Sequence, residues 1–347
     1  QQTQQGQPGL QLDESLARVP GLYLQNRYNF AQGLRLSSRG FGARAPFGVR
    51  GLRLNVDGFP ETLPDGQSQV DAIDLDALES LTVLRGPASV LYGNASGGVV
   101  DMTTRSGADL VYPQRFSVAG GSDGFRKTRL QLGGADGGNH HYLSLTGLRY
   151  QGQREQSEME KYLLTSRVGR ALSEDRDLEL FFIAMDTPVA QDPGGLTRAQ
   201  VEEDRDQAAR FSNLLDAGQE VSQQRLGVLY RDRSLGGELR ARAFVTQRDF
   251  TQQLPFPGSS LIDYERLFYG VRLEYVDRVR AFGLAHRFLV GVDADQQRDD
   301  RGRRSVNADG QVTGLTADED QTATASGVFV QTDTDLSDAL TLSLGAR

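Results

Sequence analysis

The most constraining feature of this chain is the run from Leu84 through Gly86-Pro87 to Tyr92-Gly93 and on to Gly97-Gly98-Val99-Val100. Leu81, Val83 and Arg85 share one face of a strand that stops at Gly86-Pro87. Proline suits the first position of a helix, because its missing N–H has no partner there anyway. Residues 88–92 allow little more than one helical turn, and Gly93 can close it in the left-handed conformation. A glycine-rich bend over 94–98 follows, and Val99 to Thr104 resumes as strand. This strand, turn and strand would fit many α/β domains, so its shape alone does not settle the fold.

The remainder, after Arg105-Ser106-Gly107, alternates with period two. Leu239, Ala241, Ala243 and Val245 oppose a charged or polar set in which Phe244 is the exception. Leu267, Tyr269, Val271, Leu273 and Tyr275 alternate with Gly270, Arg272 and Glu274; Thr128, Leu130 and Leu132 alternate with Lys127, Arg129 and Gln131. Such alternation makes half-buried strands, and a soluble sandwich would show the same local signal. Connection lengths separate the two. Short links at 173–177, 233–237, 278–282 and 336–339 alternate with long ones at 152–160, 188–220, 250–266 and 296–321. Short turns at one end and long loops at the other are the outer-membrane pattern, whereas compact soluble domains seldom carry several such loops. About eleven strands are expected from residue 114 onward. No stretch approaches the roughly 18 apolar residues of a membrane helix, and the mean hydropathy is −0.45. A barrel strand needs only one apolar face.

Residues along the first third carry a family resemblance. The run described above, with Leu16-Ala17-Arg18-Val19-Pro20-Gly21-Leu22, Leu36-Ser37-Ser38-Arg39-Gly40-Phe41-Gly42 and Asn55-Val56-Asp57-Gly58-Phe59-Pro60, resembles the plug domain of TonB-dependent outer-membrane transporters. The stretch 47–54 followed by Leu63-Pro64-Asp65-Gly66-Gln67 is most similar to the pyrroloquinoline quinone receptor and ferric-dicitrate-like branch. A second match lies in 191–197 and Gln207-Ala208, which resemble that branch's third extracellular loop. The resemblance implies an α+β plug followed by an antiparallel transmembrane β-barrel of about 22 strands, of which about the first half is present. The division is then 1–9 as a disordered Gln- and Gly-rich remnant, 10–107 as plug and 108–347 as truncated barrel. Both ends read as incomplete, since no signal peptide precedes Gln1 and the last residues stop within a strand. In the long 188–220 link, Thr197 is expected to cap a helix with Glu202, Glu203 and Asp204 in its early turns and Gly218 as its stop. A solvated helix without ligand contact is the alternative.

No catalytic constellation stands out. The net charge of −8 opposes nucleic-acid binding. His140, His141 and His286 have no cysteine to complete a zinc site. Adjacent strand residues such as His140 and His141 point to opposite faces. Asp293-Ala294-Asp295 and Asp318-Glu319-Asp320 lack full calcium-loop spacing. No cofactor and no metal ligand are expected. The resemblance places plug apices at 26–29, 43–47 and 61–69, with Arg27, Tyr28, Arg44, Phe47, Arg50, Asp65 and Gln67 as ligand contacts. Guanidinium groups suit carboxylate-rich ligands, and Tyr28 and Phe47 can stack on a planar ring. It also implies that Arg39 and Arg85 lock the plug to barrel glutamates beyond Arg347. The implied function is energy-coupled import, across the Gram-negative outer membrane, of a scarce anionic solute: a pyrroloquinoline-quinone-like cofactor, a siderophore or a ferric-citrate-type chelate. TonB with ExbB and ExbD in the periplasm, the ligand and outer-membrane lipid are the implied partners. A passive channel or adhesin is the alternative.

Overall fold

The computed structural model describes residues 7–25, 28–45, 48–85 and 89–347. Its first part is built from short elements: helix α1 (Asp13–Leu16), strands β1 (Leu22–Gln25), β2 (Arg35–Ser38), β3 (Val49–Arg50), β4 (Arg53–Val56), β5 (Phe59–Pro60), β6 (Gln67–Ser68) and β7 (Leu78–Leu84), helix α2 (Ser89–Tyr92) and strand β8 (Val99–Thr104). They form two four-stranded sheets, ordered β1-β2-β3-β6 and β5-β4-β8-β7. Leu16, Leu36, Leu52, Leu54, Val100 and Met102 are almost wholly buried between them. Gly86, Pro87 and Ala88 of the opening motif lie outside the described residues; around them β7 and β8 pair antiparallel, α2 is one turn, and Gly93 sits at φ +70°, as read. At the β4–β5 hairpin Asp57 and Gly58 both have positive φ, 54° and 79°, the conformation of a two-residue type I′ turn.

Eleven strands follow: β9 (Gln114–Gly120), β10 (Arg126–Asp136), β11 (Asn139–Tyr150), β12 (Met159–Ala171), β13 (Arg176–Gln191), β14 (Gly218–Asp232), β15 (Glu238–Gln253), β16 (Gly258–Ala281), β17 (Leu284–Val306), β18 (Val312–Ser337) and β19 (Leu340–Ala346). They form one antiparallel sheet in chain order, the number the alternation led us to expect. In β15 Phe244, Thr246 and Arg248 are buried toward the plug, and Val245 is exposed on the other face. Phe244, the misfit in the sequence pattern, is therefore an inward residue. The outward side is apolar in registered rows. Ala241, Leu273, Val292 and Val328 lie directly opposite one another across four strands, and the last three are exposed. A sandwich would cover that face with a second sheet; a membrane wall leaves it to lipid.

The long links need correcting. Between 250 and 266 and between 296 and 321, where loops were expected, β15, β16, β17 and β18 simply continue, and their hairpins close at 254–257 and 307–311. With 24 residues in β16, at about 3.3 Å each, the strand is about 80 Å long, well beyond what a hydrocarbon core of about 30 Å requires even when tilted. Above the membrane both faces are wet, so the period-two contrast disappears while the hydrogen-bonded ladder persists. Asp249, Glu265, Asp300 and Asp320 even stand directly opposite one another there. The 192–217 link is a true long loop. Thr197 caps helix α3 (Arg198–Glu203) in a capping box with Gln200. That helix ends at Glu203, so the acids occupy its last turn. A separate helix, α4 (Arg210–Leu214), follows, and Gly218 begins β14 instead of stopping a helix.

Candidate functional site: the plug mouth and its attachment to the wall

Residues 59–76 supply the most concentrated set of contacts between the plug and the inner face of the wall. Phe59 projects from β5 into a cluster with Leu63, Phe181, Leu229, Phe244 and Phe268. Its ring meets Phe181 edge-on at 5.3 Å, and Phe244 meets Phe268 at 4.8 Å. The wall position facing it is Gly227; a Cβ there would lie 2.7 Å from the Phe59 ring. Just past the end of β5, Glu61 pairs with Arg225, both side chains 4% exposed. Arg225 also donates to the Pro60 carbonyl at 3.1 Å and to Thr246 Oγ1 at 2.8 Å.

Further along, Asp71 accepts both Arg248 Nη2 at 2.6 Å and Nη1 at 3.1 Å, a forked pair. Lys161 donates to the Asp71 carbonyl at 3.1 Å. Asp74 caps the turn after it and accepts Ser144 Oγ at 3.0 Å. Asp76 pairs with Lys127, and its carbonyl accepts Arg129 at 2.7 Å. Burial pushes the Glu61 carboxyl up despite Arg225. For Asp71, burial acts in the same sense, but the Arg248 guanidinium and Lys161 outweigh it and hold the group below the usual carboxylate range.

Asp57, in the type I′ turn, accepts Thr104 N at 2.9 Å and Thr104 Oγ1 at 2.8 Å. Burial pushes its carboxyl up to about 6, against the lowering effect of those bonds and of Arg167. A carboxyl raised above its unfolded value near 3.9 favours the folded state while protonated. Plug stability is therefore expected to fall as pH rises from about 4 to about 6 and to level off above. Asp57→Asn should flatten that part of a chemical-denaturation profile taken against pH.

The expected ligand contacts sort into three groups. Arg27 and Phe47 lie outside the described residues. Tyr28 is 58% exposed, and Arg44 and Arg50 are exposed. The flank of the second apex is tied to the segment before β2 and to β2 itself: Gly48 N–H donates to the Gly33 carbonyl at 3.4 Å, and Arg35 Nη2 to the Ala43 carbonyl at 2.8 Å. The 29–32 turn reaches the long-loop end of the wall, where Gln219 and Gln252 donate to the carbonyls of Phe30 and Ala31. The third apex differs from expectation. Glu61, Thr62 and Leu63 are buried, because Glu61 is the wall's ion-pair partner. Asp65 remains exposed and Gln67 half-buried, with Gln67 Nε2 bonded to Asp65 at 2.9 Å and Gln67 opposite Arg50 in the β3–β6 pair.

Arg39 and Arg85 are exposed and meet around Pro20-Gly21. Arg85 Nη1 donates to the Pro20 carbonyl at 3.1 Å, and Arg39 N to that of Gly21 at 3.2 Å. On this half of the wall Glu61, Asp71 and Asp76 set plug acids on barrel bases, while Arg53 against Asp295 at 3.7 Å is a plug base on a barrel acid. Sequence reasoning missed that set. Its signal was five acids within 61–76, of which Glu61, Asp71, Asp74 and Asp76 meet the wall, beside basic residues that recur on the polar side of the strands.

Residues 1–99 match the TonB-dependent Receptor Plug Domain family. The chain thus carries a TonB-dependent receptor plug domain. Its compartment is the Gram-negative outer membrane. A 153-residue segment, 43% of this chain, is 28% identical to the ferric aerobactin receptor of Klebsiella pneumoniae and covers 19% of that protein. The ferric citrate transporter FecA, in its unliganded form, superposes with a TM-score of 0.79 over 96% of this chain at 22% identity. The copper transporter OprC superposes at 0.73 over 98%, with 16% identity. This chain spans about half of each of those two structures, 52% in both cases. At these identities the superpositions establish the plug-in-barrel fold.

Proposed function

We propose that this chain is the plug and the first half of the wall of an energy-coupled importer of an anionic ferric chelate. The single observation that most supports the reading is a compact plug packed against the inner face of the eleven-stranded wall, with its 29–32 turn at the end of the long loop. A plugged lumen is closed at rest, so passage requires work on the plug. TonB, with ExbB and ExbD, supplies that work in this reading. The ligand class follows from two relatives, one named for ferric aerobactin and one for ferric citrate. Citrate is a polycarboxylate, and Arg27, Arg44 and Arg50 offer guanidinium forks for such groups. Tyr28, Phe47, Asp65 and Gln67 complete the proposed contact set, and Arg39 with Arg85 forms the lock to the rest of the wall. Because OprC has the same fold, the fold itself does not select the cargo. A pyrroloquinoline-quinone-like cofactor is the second reading, supported by the resemblance of 47–54 and 63–67.

The test is growth rescue of a receptor-deleted strain carrying the full-length gene, fed ferric citrate or pyrroloquinoline quinone, with and without TonB. Rescue by ferric citrate only when TonB is present is the expected result. Rescue independent of TonB would instead mark a passive channel, and rescue by neither compound would reject both ligand readings.

A further inference from the structure

Asp192 is the first residue of the 192–217 loop and is 2% exposed. Its carboxylate is occupied from the plug. Asn29 Nδ2 donates to Oδ1 at 2.6 Å and Gln32 Nε2 to Oδ2 at 2.8 Å, across more than 150 residues of sequence. The loop's own Gly194 N adds a bond to Oδ1 at 2.9 Å, and Asp192 N bonds the Ala217 carbonyl at 2.8 Å, so both stems of the loop meet at this residue. Asn29 has no freedom to turn its amide, because its Oδ1 accepts Ala31 N at 3.2 Å. The 29–32 turn is itself fixed, with Phe30 against Tyr150 at 5.7 Å. From the opposite side, Arg154 spans the loop: Nη1 to Gly194 O at 2.8 Å, Nη2 to Pro193 O at 2.9 Å, and Nε and Nη2 to Gln207 O at 3.1 and 3.0 Å. Helices α3 and α4 therefore ride on a base held between the plug on one side and Arg154 of the wall on the other.

We propose that Asp192 is the joint through which the plug's outer turn and the 192–217 loop move as one body, so that a ligand seated on the apex is sensed by the loop. The inference rests on the apex reading above, and it adds a positioning role for Asn29, Gln32 and Asp192 that does not require any of them to touch ligand. Two sites are coupled only if an element between them has its position biased by both. A buried carboxylate held by plug amides, at the root of the loop, is such an element. A charged hydrogen bond lost here is expected to raise the population of the detached loop about ten- to a hundredfold.

The test uses the full-length receptor without ligand. Arg198 and Arg205 are exposed trypsin sites in the loop, and their cleavage rate reports detachment. Asn29→Asp sets carboxylate against carboxylate and should speed cleavage about tenfold or more. Asp192→Asn alone should speed it less. The double variant Asn29→Asp/Asp192→Asn restores an amide–carboxylate pair with the roles exchanged and should return the rate toward wild type. Rescue supports the joint, since a merely misfolded plug would not be repaired by a second change in the wall. Additive acceleration, or no acceleration by Asn29→Asp, overturns it. Ferric citrate is then added as the probe. Protection of the loop in wild type that is lost in Asn29→Asp completes the case for sensing. Absence of protection in wild type counts against the ligand reading and leaves the ligand-free result standing. Protection that survives in Asn29→Asp overturns the sensing step.

Discussion

Replacing Arg225 with alanine is expected to loosen the plug more than any other single change in this half of the wall. The substitution strands the Glu61 carboxylate, 4% exposed, and also removes the donor to the Pro60 carbonyl. Breaking a buried pair by deleting one partner costs about 3–5 kcal/mol. The loss should appear as a lower plug-unfolding midpoint in detergent and as sensitivity of cells to large hydrophilic antibiotics. The double variant Glu61→Gln/Arg225→Met should lose clearly less than Arg225→Ala, because no charge is left unpaired. Arg248→Ala tests the neighbouring contact with Asp71, whose side chain is 22% exposed; water can reach that carboxylate, so a smaller loss is expected. Equal effects at the two sites, or a double variant as damaged as the single one, would show that burial of the pair is not what holds the plug.

Local chemistry decided which parts of this architecture could be read in advance. Gly93 and the Thr197 cap declare themselves because each needs one residue type at one backbone position. The number of wall strands was legible through the membrane belt, where lipid outside and plug inside impose opposite demands on alternate residues. Above the belt that contrast is lost, and β16, β17 and β18 read as loops although they are continuous strands. The attachment of plug to wall was the least visible part. Glu61 and Arg225 are 164 residues apart, and nothing local to either marks it as buried. The Arg154 brace on the 192–217 loop is equally hidden, since its acceptors are backbone carbonyls that carry no sequence signature. Glu61 shows how the two errors connect: a residue assigned to a ligand-facing apex is spent on the wall.

Arg44→Ala, and Arg27→Ala beside it, should weaken binding of ferric citrate by about ten- to a hundredfold. The basis is the loss of a charge-assisted hydrogen-bonded pair, about 1.5–3 kcal/mol, with each 1.4 kcal/mol worth a factor of ten. Arg44 is exposed next to Ala43, whose carbonyl is held by Arg35 of β2, so its removal opens no cavity and breaks no buried contact. Barrel assembly and the plug-unfolding midpoint should therefore stay at wild-type values. Arg44→Lys should recover only part of the affinity, because an ammonium keeps the charge and loses the planar fork. Arg39→Ala and Arg85→Ala should behave in the opposite way. Both side chains gather around Pro20-Gly21, away from the 29–32 turn that meets the loop, so these variants should keep affinity and admit large antibiotics if they form the proposed lock. Calorimetric titration of the full-length receptor, run beside antibiotic sensitivity for each variant, separates the two roles. Wild-type affinity in both Arg27→Ala and Arg44→Ala would reject the clamp, and antibiotic resistance unchanged in both Arg39→Ala and Arg85→Ala would reject the lock.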